Sequence, residues 1–312
     1  MATDYILFIH GVSIREQGEA RYADQLFKQL QNNTRDRQSR AGGDRQLKKI
    51  ALYWGDVNDH EQKNLRTKLK ASSLWEQMWF RTFREQQIIQ FAGDAALYIS
   101  RHVGSKVVNR LKTQAAEGLK NIQPDDCVHL VTHSWGTVIL FDILFASRWD
   151  EPRLPAHQDV MDIREAIYGI NPNPDKGIKI ASIHTMGSPV AIFTLTNVVA
   201  DSNDSRSSHD ITPKLQNLLE SLYTARHGKK LPWTNYVHPG DPIAYPLKEL
   251  MTDLVDGGTK YLDIKDVMIQ DRGFVEFFTA QSLLPLLNGG KAHGSYWENN
   301  KVAQEISSVL KR

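Results

Sequence analysis

The sequence predicts an α/β protein, a mainly parallel sheet with helices on both faces. Two observations carry this expectation. Short β-rich apolar runs alternate with longer helical stretches along the chain. No stretch recurs at a period of about 20–50 residues, and no Pro/Gly linker separates blocks of different composition. The 312 residues therefore read as one domain, 1–312, carrying a helical insertion. Hydrophobic residues make up 41% and charged residues 24%, which is ordinary for a globular protein and argues against both a membrane protein and a disordered chain.

Each element has its own signal. Tyr5–Ile9 is a buried strand, and His10-Gly11-Val12-Ser13 follows it. Residues 19–33 have helical spacing through Tyr22, Leu26, Phe27 and Leu30. Gln31 to Asp44 reads as a polar loop carrying Arg35, Arg37 and Arg40, with Arg45 just beyond, and Leu47–Trp54 as the next strand. The segment 59–121 is helical. Trp75, Met78, Trp79 and Phe83 fall on one helical face, either packed on the sheet or forming a cap over an acyl-binding cleft. Residues 127–132 make a continuous apolar strand, Trp135–Ala146 a helix, and Ile178–Thr185 a strand that ends at Met186-Gly187-Ser188-Pro189. The polar run within about 198–212 predicts a mobile loop. Leu215–Tyr223 is a short helix and Trp233–Val237 a strand.

The sharpest chemical signal is Leu130-Val131-Thr132-His133-Ser134-Trp135-Gly136-Thr137, between a buried strand and a helix. A serine in that turn projects its hydroxyl above the sheet, and small neighbours let the turn close. Gly136 meets that need, whereas Thr132 stands where G-x-S-x-G has its first glycine. A serine nucleophile needs a base that an acid orients, in the chain order Ser, acid, His. Only His293 lies after position 241 among the histidines, flanked by Gly289-Gly290 and Gly294. Asp241 closes the turn His238-Pro239-Gly240-Asp241-Pro242 after a strand, where α/β sites collect. Asp263, Asp266 and Asp271 are its rivals.

The oxyanion donors expected are the amide of Trp135, next after the serine, and that of Val12, with Gly11 opening room for the backbone. His10, Gly11 and His133 are expected at the substrate. His129 reads as structural, while His184 and His238 sit near strand ends. No His/carboxylate spacing suits a metal and no phosphate-binding glycine motif occurs, so neither metal nor cofactor is expected. The lone Cys127 excludes an internal disulfide.

With these residues in place the chain resembles the α/β-hydrolase superfamily of lipases and esterases. Leu130 to Leu144 is similar to the nucleophile segment of the intracellular DDHD-type phospholipases, and His238-Pro239-Gly240-Asp241-Pro242-Ile243-Ala244-Tyr245 resembles their H-P-x-D-P-V-A-Y. Asp94-Ala95-Ala96-Leu97-Tyr98 and His293-Gly294-Ser295-Tyr296-Trp297 are weaker matches. Thr132, Pro246 and Lys248 depart from the pattern. The resemblance implies an α/β-hydrolase fold, hydrolysis of ester-linked acyl groups, and Asp241 as the acid.

The function expected is a serine hydrolase of carboxylic esters, with lipase- or esterase-like preference for apolar acyl groups. Acyl transfer or thioester hydrolysis on the same residues is the alternative, as is a catalytically silent fold that binds lipid or protein. The partner is a small-molecule ester or lipid, with contact to a lipid interface as an option. A net charge of +2 gives no footprint for nucleic acid. No run reaches the about 18 apolar residues of a membrane span, and no leader is visible, so a cytoplasmic location is the simplest expectation.

Overall fold

The computed structural model describes residues 2–12, 14, 21–41, 45–85, 89–170, 176–193, 214–252, 260–269 and 292–310. The centre is a six-stranded, all-parallel sheet in the order β2-β1-β3-β4-β5-β6, formed by β1 (Thr3–Ile9), β2 (Gln46–Leu52), β3 (Cys127–His133), β4 (Ile180–Met186), β5 (Leu231–Val237) and β6 (Leu262–Met268). β1, β3, β4 and β5 are interior strands covered on both faces, and nearly all of their residues, apolar and polar alike, are buried. Strand periodicity divides their side chains. Leu7, Ile9, Leu130 and Ile183 pack with the helices Arg101–Leu119, Trp135–Phe145 and His157–Glu165. Ile6, Phe8, Val131, Met186 and Tyr236 pack with Asp24–Ala41 and Asn300–Val309.

Three expectations are corrected. The first helix does not stop at residue 33 but runs to Ala41, so the expected polar loop is mostly helix. Its second half is rich in Asn, Gln and Arg with no helix breaker before Gly42-Gly43, and such polar residues suit a helix as well as a loop. The aromatic stripe does not lie on one helix. Trp75–Gln77 is a single 3₁₀ turn, Met78 is extended at ψ 137° and Phe80 is left-handed at φ 58°. Trp75 is buried, whereas Trp79 and Phe80 are 79% and 73% exposed. Finally, the C-terminal part of 59–121 is not a cap, because Val107, Val108 and Leu111 of Arg101–Leu119 join the core beside the sheet.

β6 has no counterpart in the sequence reading. It is an edge strand whose Leu262 and Ile264 point inward while Asp263 and Lys265 face solvent. The loop expected at about 198–212 and Asp271 lie outside the described residues.

Candidate active site

The C-terminal ends of β1, β3, β4 and β5 converge on Ser134. It joins β3 to the helix Trp135–Phe145 at φ 54° and ψ −129°, left-handed backbone that a serine holds only under constraint. Its N–H donates to the Met186 carbonyl (2.9 Å), which ties the turn to the end of β4. Two glycines permit the packing. A Cβ on Gly136 would lie 2.5 Å from both the Ile9 and His10 carbonyl oxygens, and one on Gly11 would lie 2.4 Å from Ser134 Cβ. The threonine found where a glycine was anticipated is accommodated by hydrogen bonding. Thr132 Oγ1 meets Thr137 Oγ1 at 2.8 Å, so both buried hydroxyls have partners.

His293 and Asp241 come from distant parts of the chain and meet beside this turn. Asp241 Oδ2 accepts from His293 Nδ1 (2.8 Å) and from the Tyr296 hydroxyl (2.9 Å), and its Oδ1 accepts from the Ile243 amide (3.2 Å). The Tyr296 oxygen in turn accepts the His238 N–H at 2.9 Å. Burial is the largest single influence on the Asp241 carboxyl and opposes its ionisation. The bonds from His293, Tyr296 and Ile243 together outweigh burial and hold it below the usual carboxylate value. With a carboxylate at Nδ1, the neutral His293 ring carries its proton there and leaves Nε2 as the acceptor. Nε2 of His293 and Oγ of Ser134 are both buried and have no hydrogen-bond partner among the described residues.

His133 locks the other side of this histidine. Its Nε2–H donates to the His293 carbonyl (2.6 Å), and the two rings lie 4.5 Å apart. Burial, reinforced by the neighbouring His293, pulls the His133 pKa down to about 3, so its ring stays neutral. His10 is fully buried, stacked on Trp54 with ring centroids 5.3 Å apart. Its Nδ1–H donates to the Gly11 carbonyl (2.6 Å) and its Nε2 accepts the Trp54 amide (3.1 Å). The rings of both histidines are enclosed and hydrogen-bonded to the backbone around the site. Gly11 remains against Ser134, with Val12 next to it and buried.

Two residues in this cluster were not anticipated. In the sequence Tyr296 stands out only as part of the short segment His293-Gly294-Ser295-Tyr296-Trp297, yet its hydroxyl bridges Asp241 and His238. Gly187 (φ 56°) sits where a Cβ would lie 2.8 Å from Asp241 Oδ2 and 3.1 Å from His293 Nδ1. The nearest sequence signal for Gly187 was its place directly after β4.

The two rival acids among the described residues go elsewhere. Asp266 accepts from Asn235 and from the Leu247 and Lys248 amides, and Asp263 is exposed on β6. Asp94 and Tyr98 serve the scaffold. Asp94 accepts from Asn58 and Gln62, and Tyr98 donates to the buried Asp142. His184 is buried and bonded to Ser182 and Tyr236 within the sheet.

One cluster has metal-ligating residue types that their spacing in the sequence did not reveal. Asp4, Cys127 and His129 offer donor atoms within 4.8 Å of one another. The Arg45 guanidinium reaches both Asp4 (2.7 Å) and the Cys127 sulfur (3.3 Å) and supplies positive charge there. Burial and the Asp4 charge push the Cys127 thiol up to about 12, so it is no rival nucleophile.

No family model matches the chain, nor does any curated protein, so the DDHD-type likeness rests on the short segments quoted above. Solved structures that align with it include an uncharacterized protein from Bacillus cereus ATCC 10987, at 12% identity and a TM-score of 0.35 over 89% of this chain and 58% of that one. Est1E from Butyrivibrio proteoclasticus aligns at 8% identity and a TM-score of 0.36, over 100% of this chain and 90% of that one. The RedJ thioesterase from the prodiginine pathway of Streptomyces coelicolor aligns at 12% identity and 0.31, over 94% and 86%. At these scores the likeness says nothing of substrate. The parallel sheet, with helices on both faces and a serine at the strand-to-helix turn after β3, is itself an α/β-hydrolase fold.

Proposed function

We propose that the protein is a serine hydrolase of carboxylic esters that works through an acyl-enzyme. The observation that carries this reading is the 2.8 Å His293–Asp241 hydrogen bond beside a serine held at positive φ. Ser134 Oγ attacks the ester carbonyl and passes its proton to His293 Nε2, which returns it to the departing alcohol. Water, activated by the same nitrogen, then releases the acid. Asp241 fixes the tautomer and stabilises the imidazolium. His133 and Tyr296 hold the pair without touching the reacting atoms.

The oxyanion is received by the amides of Trp135 and Val12. His10 supports Val12 in this role. Because His10 Nδ1–H holds the Gly11 carbonyl, the Val12 N–H, antiparallel to it across the trans peptide, is fixed in the opposite direction. His10 is thus a positioning residue for the oxyanion donor.

The substrate is an apolar acyl ester at an interface. This reading rests on Leu74, Trp79 and Phe80, all exposed in the stretch after the helix Asp59–Lys70 with its Lys63 and Lys68, and on Arg84 just beyond them, a composition suited to an anionic lipid surface.

The test is fluorophosphonate labelling and p-nitrophenyl ester turnover in the native protein and in Ser134→Ala. Labelling and turnover are expected to vanish in the variant while its thermal unfolding is unchanged. Wild-type-like turnover by the variant overturns the mechanism. No labelling and no turnover in the folded native protein leave a binding module.

A further inference from the structure

We infer that a second, non-catalytic site behind the sheet binds an uncharged ligand with a hydrocarbon chain. A cleft of about 420 Å³, open to solvent where Ala116 is exposed, lies between β1–β4 and the helices Arg101–Leu119, Trp135–Phe145 and His157–Glu165. Its volume falls in the range of ligand pockets, about 300–1,000 Å³.

The cleft is written into the sequence. Leu7, Ile9 and Leu130 form its floor, while Ala115 and Ala116 on one helix and Ala166 at the end of another leave its walls short. The side chains of Ser134, Asp241 and His293 are not on its wall. Leu7 and Leu130 also project from the sheet face opposite to His129 and Val131. This space is therefore separate from the serine.

Its charged wall residues, Lys112 and Asp162, are also part-exposed and mark its polar side. Lys112 Nζ bonds Asp162 (2.5 Å) and Asp159 (2.9 Å), so two carboxylates face one ammonium. That excess of negative charge disfavours an anionic head group such as a fatty-acid carboxylate. The chemistry that fits is a neutral chain, as in a long-chain alcohol or an isoprenoid.

The experiment is fluorescence titration of the full chain with the uncharged probe N-phenyl-1-naphthylamine, followed by displacement with 1-dodecanol or dodecanoate. Saturable one-to-one binding is expected in the native protein and in Ser134→Ala, with dodecanol the better competitor. Ala115→Trp and Ala166→Phe, which fill the space from two sides, should each weaken binding about tenfold or more. Ala115→Leu, a smaller filling, serves if either larger variant fails to unfold cooperatively. No saturable binding to the native protein overturns the proposal. So does unchanged binding in cooperatively folded filling variants, or better displacement by dodecanoate. Binding abolished by fluorophosphonate modification but kept in Ala115→Trp puts the probe at Ser134 and overturns it as well.

Discussion

Ser134 holds a backbone conformation that costs on the order of 1–3 kcal/mol in a non-glycine residue. Its surroundings over-determine it, through the Met186 carbonyl on its N–H and the crossing with no room for a Cβ at Gly11 or Gly136. Asp241 shows the same economy of purpose, since each of its oxygens accepts hydrogen bonds and one faces His293. Replacing it with Asn removes the charge that stabilises the imidazolium and permits the wrong tautomer. Asp241→Asn is therefore expected to lower kcat by about 10⁴-fold, the order seen for this change in a Ser-His-Asp triad, with KM little changed. Steady-state kinetics on a p-nitrophenyl ester checks it, and a kcat within a few fold of native removes Asp241 from the proposed role. The meeting of Asp241 and His293 could be expected from the single histidine after position 241 and from the turn that follows β5, and the contacts around them could not. Tyr296, Gly187, His133 and the Trp54 contact of His10 play their parts only through contacts between residues far apart in sequence.

At the scale of elements, β4 contributes space. Gly187→Ala is expected to displace the Asp241–His293 pair, because its Cβ would fall within 2.8 Å of the carboxylate at φ 56°. Its kcat should drop by at least about tenfold while the sheet survives, which near-UV and far-UV dichroism with kinetics would separate. The interior strands could be read from their apolar runs, and β6 could not, since an edge strand with Asp263 and Lys265 outward lacks that signature. The break at Met78 and Phe80 was hidden for a related reason. Aromatic spacing at i, i+3 and i+4 is satisfied on paper by a helix that the backbone does not form. The exposed tip that results carries its own prediction. Cosedimentation with vesicles of an anionic phospholipid should fall several-fold in Trp79→Ser/Phe80→Ser, and high salt should weaken native binding. Equal sedimentation of native and variant protein would dismiss the tip as a lipid contact.

Taken as a whole molecule, the protein buries neutral histidines in and beside its sheet. His133 and His184 both have pKa values drawn down to about 3, chiefly by burial and then by a neighbouring histidine, from an ordinary 6.5. Between those values the unfolded chain binds protons that the folded chain refuses, so stability falls as pH drops from 6.5 towards 3. Each histidine contributes a slope on the order of 1 kcal/mol per pH unit. The depressed Asp241 carboxyl adds its loss only below the ordinary carboxylate range. Urea unfolding from pH 7 to pH 4 should show this decline, with a shallower slope in His184→Gln. A flat profile would mean that these rings charge inside the fold.

The docking of residues 292–310 has a consequence for the serine. The serine turn and Asp241 are complete in chain order well before His293, which reaches them on a segment held by Tyr296, Trp297 and the helix Asn300–Val309 against Asp24–Ala41. On the proposed mechanism, the Ser134 hydroxyl gains its base only when the helix Asn300–Val309 is packed against Asp24–Ala41, so the reactivity of that hydroxyl reports the docking of the two helices.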